Sequence, residues 1–416
     1  MNHTKSNRIG VLRIDAQFVL GLSNLLCVFI CIFMPTSRNT EIFQTSSVIF
    51  VWGMLIVAAG LVVIYNPVNT NHMLLAMIFI NSYMIIVSLL ASFQFSQTRI
   101  SLARIVPVIS LIFILSMRID IYPRFDFMRF LLHIVSIAAI IWNIAILFGV
   151  QTVLDFTYNN YNQYYPLCGY YQVILGHKPV MSFGVYTYAA YFYFMFFICA
   201  FATYKLHNKV VYLVYAVAYC VFCLLLGSAS SIIFFGVMLV FLVKELGKRV
   251  NASRLVLIAF VTIIISIVAI QNYAEIYDKV LYNFTNGNNG FIGRYSSVSS
   301  LSENFKVITS SLGIGYNIIG NIDLSYSDSG YVLYLTMGSI PFAISIYYLL
   351  YKFMKYNFRI YSKMLMFIVF GFELALPATF NYRFSYMMIF VICYLGSLEY
   401  DYRCNKPDSL ELEYLR

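Results

Sequence analysis

The residues best suited to chemistry gather in one polar stretch, Gln271 to Leu335, set between long apolar runs. It holds an arginine beside a glycine (Gly293-Arg294), a Gly-Ile-Gly turn (Gly313 to Gly315) and the run Ser327-Asp328-Ser329-Gly330, which abuts the next apolar segment. A guanidinium matches the geometry of phosphate oxygens and can bind them in a bidentate way. The glycine beside it lets a ligand approach the backbone closely. A solvated loop charge or a lipid-headgroup anchor would account for Arg294 equally well. Asp328 can cap the helix that follows it, or accept a proton from an incoming hydroxyl. The two roles are compatible, because a capping position is rigid.

Other candidates are scattered. Arg99 and Arg104 flank a short connection between apolar runs, where they could join an anion-binding surface or snorkel to headgroups. His177 and Lys178 are the cationic candidates in a Tyr- and Asn-rich segment, residues 151–182, that contains no arginine. Tyrosines between Tyr158 and Tyr171 could stack on sugar rings or form an interfacial belt. Glu373 lies inside the apolar stretch FIVFGFELALPATF. Intramembrane carboxylates are costly and face a partner or a cavity. Arg383 is a candidate partner, ten residues or about 15 Å along a helix. His133 and Asn143 are expected to be hydrogen-bonded within a helix bundle. No Ser-His-Asp set, phosphate-binding Gly-Lys loop, dinucleotide fingerprint or Cys/His metal spacing occurs, so neither a cofactor nor a metal is implied. The eight cysteines form no disulfide framework, and Cys220-x-x-Cys223 falls within an apolar run.

The elements that must position these residues are transmembrane helices. Of the 416 residues, 61% are hydrophobic and 11% charged, where a soluble domain carries about a quarter charged residues. Mean hydropathy is +0.79. Apolar runs predict spans at 18–34, 47–65, 73–94, 102–117, 130–150, 184–204, 210–227, 231–243, 254–271, 331–351, 364–379 and 385–398. The fold expected is therefore all-α and integral to the membrane, about 12 helices in one unit over residues 1–416. The boundary near Ser228–Ser231 is the least secure. With both termini inside, eight of the 27 Lys and Arg face outward: Arg38, Arg99, Arg104, Lys178, Lys279, Arg294, Lys306 and Arg383. The inner loops then hold the other 19 (27 less 8), as the positive-inside bias requires. The loops 151–182 and 272–330 then face outward. The net charge of +10 reflects this topology rather than a nucleic-acid partner.

Twelve spans, two enlarged outer loops and three local stretches together resemble the bacterial O-antigen polymerase (Wzy) family. The stretches are Gly176 to Gly184 (GHKPVMSFG), Leu224 to Ser231 (LLLGSASS), and the block that runs from Gly293-Arg294 through Gly-Ile-Gly and Asp328-Ser329-Gly330 to Gly338. The resemblance implies a multi-pass protein of the bacterial inner membrane with cytoplasmic termini. It implies that a glycan is transferred from polyprenyl (undecaprenyl) pyrophosphate to a hydroxyl of a new lipid-linked repeat unit. Arg294 would face the leaving pyrophosphate, helped by Arg99, Arg104 or Lys178, and Asp328 would serve the acceptor hydroxyl. His177, Glu373 and Arg383 are further substrate-binding candidates. A chain-length regulator is the protein partner that the resemblance implies. The O-antigen ligases share the layout but carry a histidine where this chain has Asp328, which disfavours that alternative. A flippase or transporter of lipid-linked sugars should show internal repeats and several intramembrane charges. No repeat and one such carboxylate are found.

Overall fold

The computed structural model describes residues 21–22, 24–25, 28–29, 32–33, 72–95, 98–100, 105, 123–162, 169–184, 186–246, 312–319, 330–358, 360–373 and 382–405. Among these residues the order of elements is α1 (His72–Gln94), β1 (Thr98–Ile100), α2 (Phe125–Leu147), α3 (Gln151–Thr157), α4 (Tyr186–His207), α5 (Val210–Leu226), α6 (Ala229–Leu246), β2 (Asn317–Ile319), α7 (Gly330–Asn357), α8 (Ser362–Phe372) and α9 (Tyr382–Asn405). Two π-helical turns, Tyr158–Asn162 and Tyr171–Leu175, follow α3. The chain is mostly helical, and α2, α4 and α7 are each long and apolar enough to cross a membrane.

Each expected span that can be compared overlaps a helix, with ends that differ by up to seven residues. Those at 47–65 and 254–271, and all of 102–117 except Ile105, lie outside the described residues. The run 18–34 is described only in part. Helix α6 starts at Ala229, two residues before the expected 231, because Ser228 caps it. Helix α8 ends at Phe372, so Glu373 closes that helix instead of lying within it.

The chain packs as two compact units. One contains residues 1–31, 46–129 and 298–416, and the other 32–45 and 130–297. In the second unit α4 is the buried centre, with every residue from Ala189 to Tyr204 buried. A helix that is apolar all round belongs in such a position. Its rings interlock with those of α5, with Tyr193 5.7 Å from Phe222 and 6.1 Å from Tyr219. A two-residue link joins α4 to α5, with Asn208 in the left-handed region (φ 54°). His133 and Asn143 of α2 are hydrogen-bonded as expected, although the Asn143 Nδ2 has no partner among the described residues. His133 shares hydrogen bonds of 3.0 Å with the hydroxyls of Tyr212 and Tyr215, and the Asn143 Oδ1 accepts one of 3.0 Å from Tyr193.

The described parts of the segment 151–182, expected to be a polar outer loop, form a short helix and two π-helical turns in which several residues are buried. Trp142 Nε1 donates to Thr157 Oγ1 at 2.8 Å, and the Trp142 and Tyr161 rings meet edge to face at 5.2 Å. Tyr161, Asn162, Gln172 and Val173 are buried. Alternating aromatic and amide residues therefore supply a local core, where composition alone read as polar loop.

Candidate functional site

Within the second unit, Gly176 to Gly184 is an irregular, mostly buried segment leading into α4. Its backbone groups are closed locally. Gly176 N–H donates to Tyr171 O and Lys178 N–H to Gln172 O, both at 2.7 Å. Val180 N–H donates to Lys178 O at 2.8 Å, and the Tyr193 hydroxyl donates to Pro179 O. His177 (φ 44°) and Met181 (φ 48°) sit in the left-handed region, at a cost of order 1–3 kcal/mol each. Non-helical backbone is tolerated in a membrane protein where it is buried in protein or lines a cavity.

This segment sets Lys178 against the turn between α5 and α6. A Cβ at Gly227 would lie 3.6 Å from Lys178 Nζ. Gly227 ends α5 in the left-handed conformation (φ 69°), as helix C-termini favour. Ser228 and Ser231 then cap α6 reciprocally. Ser231 N–H donates to Ser228 Oγ at 3.2 Å, and Ser228 N–H to Ser231 Oγ at 2.9 Å. An ammonium at this turn complements the carbonyl end of α5. The same turn carries the hydroxyls of Ser228 and Ser230, 3.3 Å apart, and the first amides of an 18-residue helix, groups that suit an anion. His177 faces the other way, its ring against Gly149, where an added Cβ would lie 2.8 Å from Cε1.

The first unit is organised around a break in α7. Gly338 (φ −141°, ψ 18°) and Ser339 (φ 63°, ψ −170°) are non-helical, and Pro341 has no N–H to offer the carbonyl of Met337. The freed carbonyls are taken by the Gly-Ile-Gly turn. Ile314 N–H donates to Thr336 O at 3.1 Å, and Gly315 N–H to Met337 O at 2.7 Å. Gly313 (φ 95°) and Gly315 (φ 61°) have no room for a side chain, since a Cβ would overlap Met337 O and Ser88 Oγ respectively. The turn continues onto α1, with Tyr316 N–H donating to Ser88 Oγ at 2.8 Å and Asn317 Nδ2 to Ser88 O at 2.6 Å. Residues 317–319 then pair antiparallel with β1, which brings exposed Arg99 opposite Ile318.

Glu373 meets the start of the same helix. Gly330 N–H donates to Glu373 O at 2.9 Å, and a Cβ on Gly330 would collide with the Glu373 carboxylate. That carboxylate is fully buried and accepts a long hydrogen bond (3.5 Å) from the Tyr347 hydroxyl. Tyr331 stacks on Tyr347 with ring centres 4.7 Å apart, and its hydroxyl reaches Phe370 O at 2.8 Å. The positive end of a helix dipole favours a carboxylate there.

Arg294, Asp328 and Arg104 lie outside the described residues, as does the side chain of Arg383, so the expected Glu373–Arg383 pair also lies outside them. The backbone of Arg383 is in the first turn of α9. Asp328 precedes by two residues the glycine that Glu373 contacts. The structure thus brings Gly313, Gly315 and Gly338 together, with Arg99 on the strand pairing beside them. Sequence reasoning missed the serine capping pair and the amides of Asn162 and Gln172. A serine run after a glycine could have signalled the former. Among the described residues, no three His, Cys, Asp or Glu side chains gather as a metal site. Compared with protein-family models, curated proteins and solved structures, the chain matches none.

Proposed function

We propose that this chain is a membrane glycosyltransferase that polymerises polyprenyl-pyrophosphate-linked oligosaccharide repeat units, as the O-antigen polymerases it resembles do. In this reading it is a twelve-span protein of the bacterial inner membrane. Both termini are cytoplasmic, and the segments 151–182 and 272–330 face the periplasm. The observation that carries the reading is Lys178, set by a buried, strained segment at a turn that joins serine hydroxyls to helix amides. Such a group suits a pyrophosphate at the membrane boundary.

In the reaction, the bond from the anomeric carbon of the donor glycan to the pyrophosphate oxygen breaks. A bond from that carbon to a hydroxyl oxygen of the acceptor repeat unit forms. The electron pair leaves with polyprenyl pyrophosphate, and the hydroxyl proton passes to a base. Lys178 and Arg294 stabilise the leaving anion, preorganised donors being most effective where charge develops. Asp328 receives the proton, and Glu373 acts through Gly330 to fix the start of the helix that follows Asp328. Arg99, Arg104, His177 and Arg383 are secondary contacts to the substrate.

Reconstitution in liposomes with a lipid-linked repeat unit, read on a gel, tests this. The expected outcome is a ladder of lipid-linked glycans that collapses with Arg294→Ala and weakens with Asp328→Ala. Movement of the lipid-linked unit across the bilayer without a ladder would replace the polymerase by a flippase. Transfer of a preformed glycan to a lipid acceptor without lengthening would replace it by a ligase.

A further inference from the structure

Two amide side chains in the folded segment after α2 are buried with hydrogen-bonding atoms unpaired. Among the described residues, neither Oδ1 nor Nδ2 of Asn162 has a partner, and neither does Oε1 of Gln172, while Asn162 is fully buried and Gln172 is 3% exposed. Proteins rarely leave buried amides unsatisfied, and each such case requires an explanation. Gly169 connects the two. Gly169 packs so closely on Asn162 that a Cβ there would overlap the Asn162 carbonyl oxygen, and Gln172 follows Gly169 by three residues on one continuous helical stretch. Three residues along a helix bring Cβ atoms to about 5–6 Å of each other.

The surroundings are those of a loop built to hold something. Both amides stand in π-helical turns, Tyr158–Asn162 and Tyr171–Leu175, a geometry frequent at functional sites. The turns meet through Tyr158 and Tyr170, edge to face at 5.5 Å. Tyr170 and Tyr171, one and two residues from Gly169, are exposed. On the other side Tyr161 packs on Trp142.

We propose that this pair of turns is a subsite for a neutral, hydroxyl-rich ligand, a single saccharide residue, held by Asn162 and Gln172 with the exposed tyrosines against its C–H face. The donor and acceptor balance supports that class. Asn162 offers both N–H groups and carbonyl lone pairs, and Gln172 offers lone pairs. An anion would face two carbonyl oxygens, and a bare cation would leave the Asn162 N–H groups unused. A vicinal diol or an N-acetyl group uses both. The segment has no arginine, so a neutral readout of the glycan there complements the cationic readout of the pyrophosphate at Lys178. The choice of a saccharide rests on the proposed polymerase reading.

The test uses the full-length protein in detergent with Trp52→Phe, which leaves Trp142 as the single tryptophan of the two in the chain. Its fluorescence is followed during titration with the methyl glycosides of glucose, galactose, N-acetylglucosamine and N-acetylgalactosamine, with inorganic phosphate as the control. The expected result is a saturable response to at least one glycoside. Asn162→Leu should weaken that response at least 10-fold and Gln172→Leu should do so less, while the melting temperature of each variant stays at or above that of the parent. No saturable glycoside response, or a response that Asn162→Leu leaves unchanged, overturns the proposal and makes the amides groups solvated by buried water. A response to phosphate alone also overturns it. The two readings fail separately. Glycoside binding in a protein that makes no ladder would remove the polymerase and keep the subsite. A ladder whose KM for the repeat unit is unchanged by Asn162→Leu would remove the subsite and keep the polymerase.

Discussion

The two units solve the same problem, irregular backbone inside a helical protein, in opposite ways. Around Lys178 the irregular segment closes on itself. The backbone amides of Gly176, Lys178, Val180 and Phe183 bond to carbonyls within six positions along the chain, and the strain is held at His177 and Met181. Around Gly338 the break in α7 is closed from elsewhere, by amides of Ile314 and Gly315 that are anchored in turn on Ser88. A locally closed segment is held by its own backbone and sets side chains such as Lys178 against a neighbouring turn. A remotely closed break uses glycines, where no side chain fits, and so makes a joint rather than a contact surface. Side-chain substitutions should therefore disturb chemistry in the first region and folding in the second.

The largest expected effect is at the joint. Gly313→Ala places a side chain at φ 95° against Met337 O and should cost about 3 kcal/mol or more. Thermal unfolding in detergent measures this. An unchanged melting temperature would show that the break in α7 does not need the turn. Next comes Lys178→Ala, expected to slow chain lengthening about 100-fold, the scale of one lost electrostatic donor. Its melting temperature should hardly move, and Lys178→Arg should recover part of the rate. A fall in melting temperature without a change in rate would make Lys178 a helix-end charge only. Ser228→Ala removes the cap of α6 and should cost about 1 kcal/mol, again read by melting.

The smallest effect concerns Tyr316. Its hydroxyl bonds Asn81 Oδ1, and burial pushes its ionisation above the ordinary tyrosine range. A raised folded-state pKa contributes stability that is complete below the unfolded value of about 10 and is lost as pH rises through the folded value. Tyr316→Phe should cost about 1 kcal/mol at neutral pH and soften the loss of stability above pH ~10. A melting curve across pH 8–11 would check both signs, the lower end of that range being about two units below the unfolded pKa.

Much of this architecture was legible in the residues. Apolar runs placed the helices because a membrane-spanning helix must be apolar over its whole length. The glycines at 313, 315 and 338 stood out in sequence and proved to share one joint. The anchoring of that joint on Ser88 was not legible, because pairing between positions more than 200 apart leaves no local pattern. The packing within the segment 151–182 was not legible for a different reason. Its Tyr and Asn residues are polar by composition, yet rings such as Tyr161 bury their faces and bond only at the hydroxyl, here to Phe33 O at 2.9 Å. The contact of Glu373, just past the end of α8, with Gly330 joins positions distant along the chain, which periodicity cannot see.

The anchoring of Tyr316 on Ser88 spans 228 residues of chain. A ribosome adding roughly 5–20 residues per second needs on the order of 10–50 s to cover that distance. During that interval α1 exists without the turn that its serines receive, and the second unit, whose residues 130–297 lie between them, is completed first. The first unit is thus assembled from two ends of the message around an insertion that is already made. A truncation after residue 297 should leave the second unit able to form while the helices at the amino-terminal end await partners, which limited proteolysis of stalled chains would reveal.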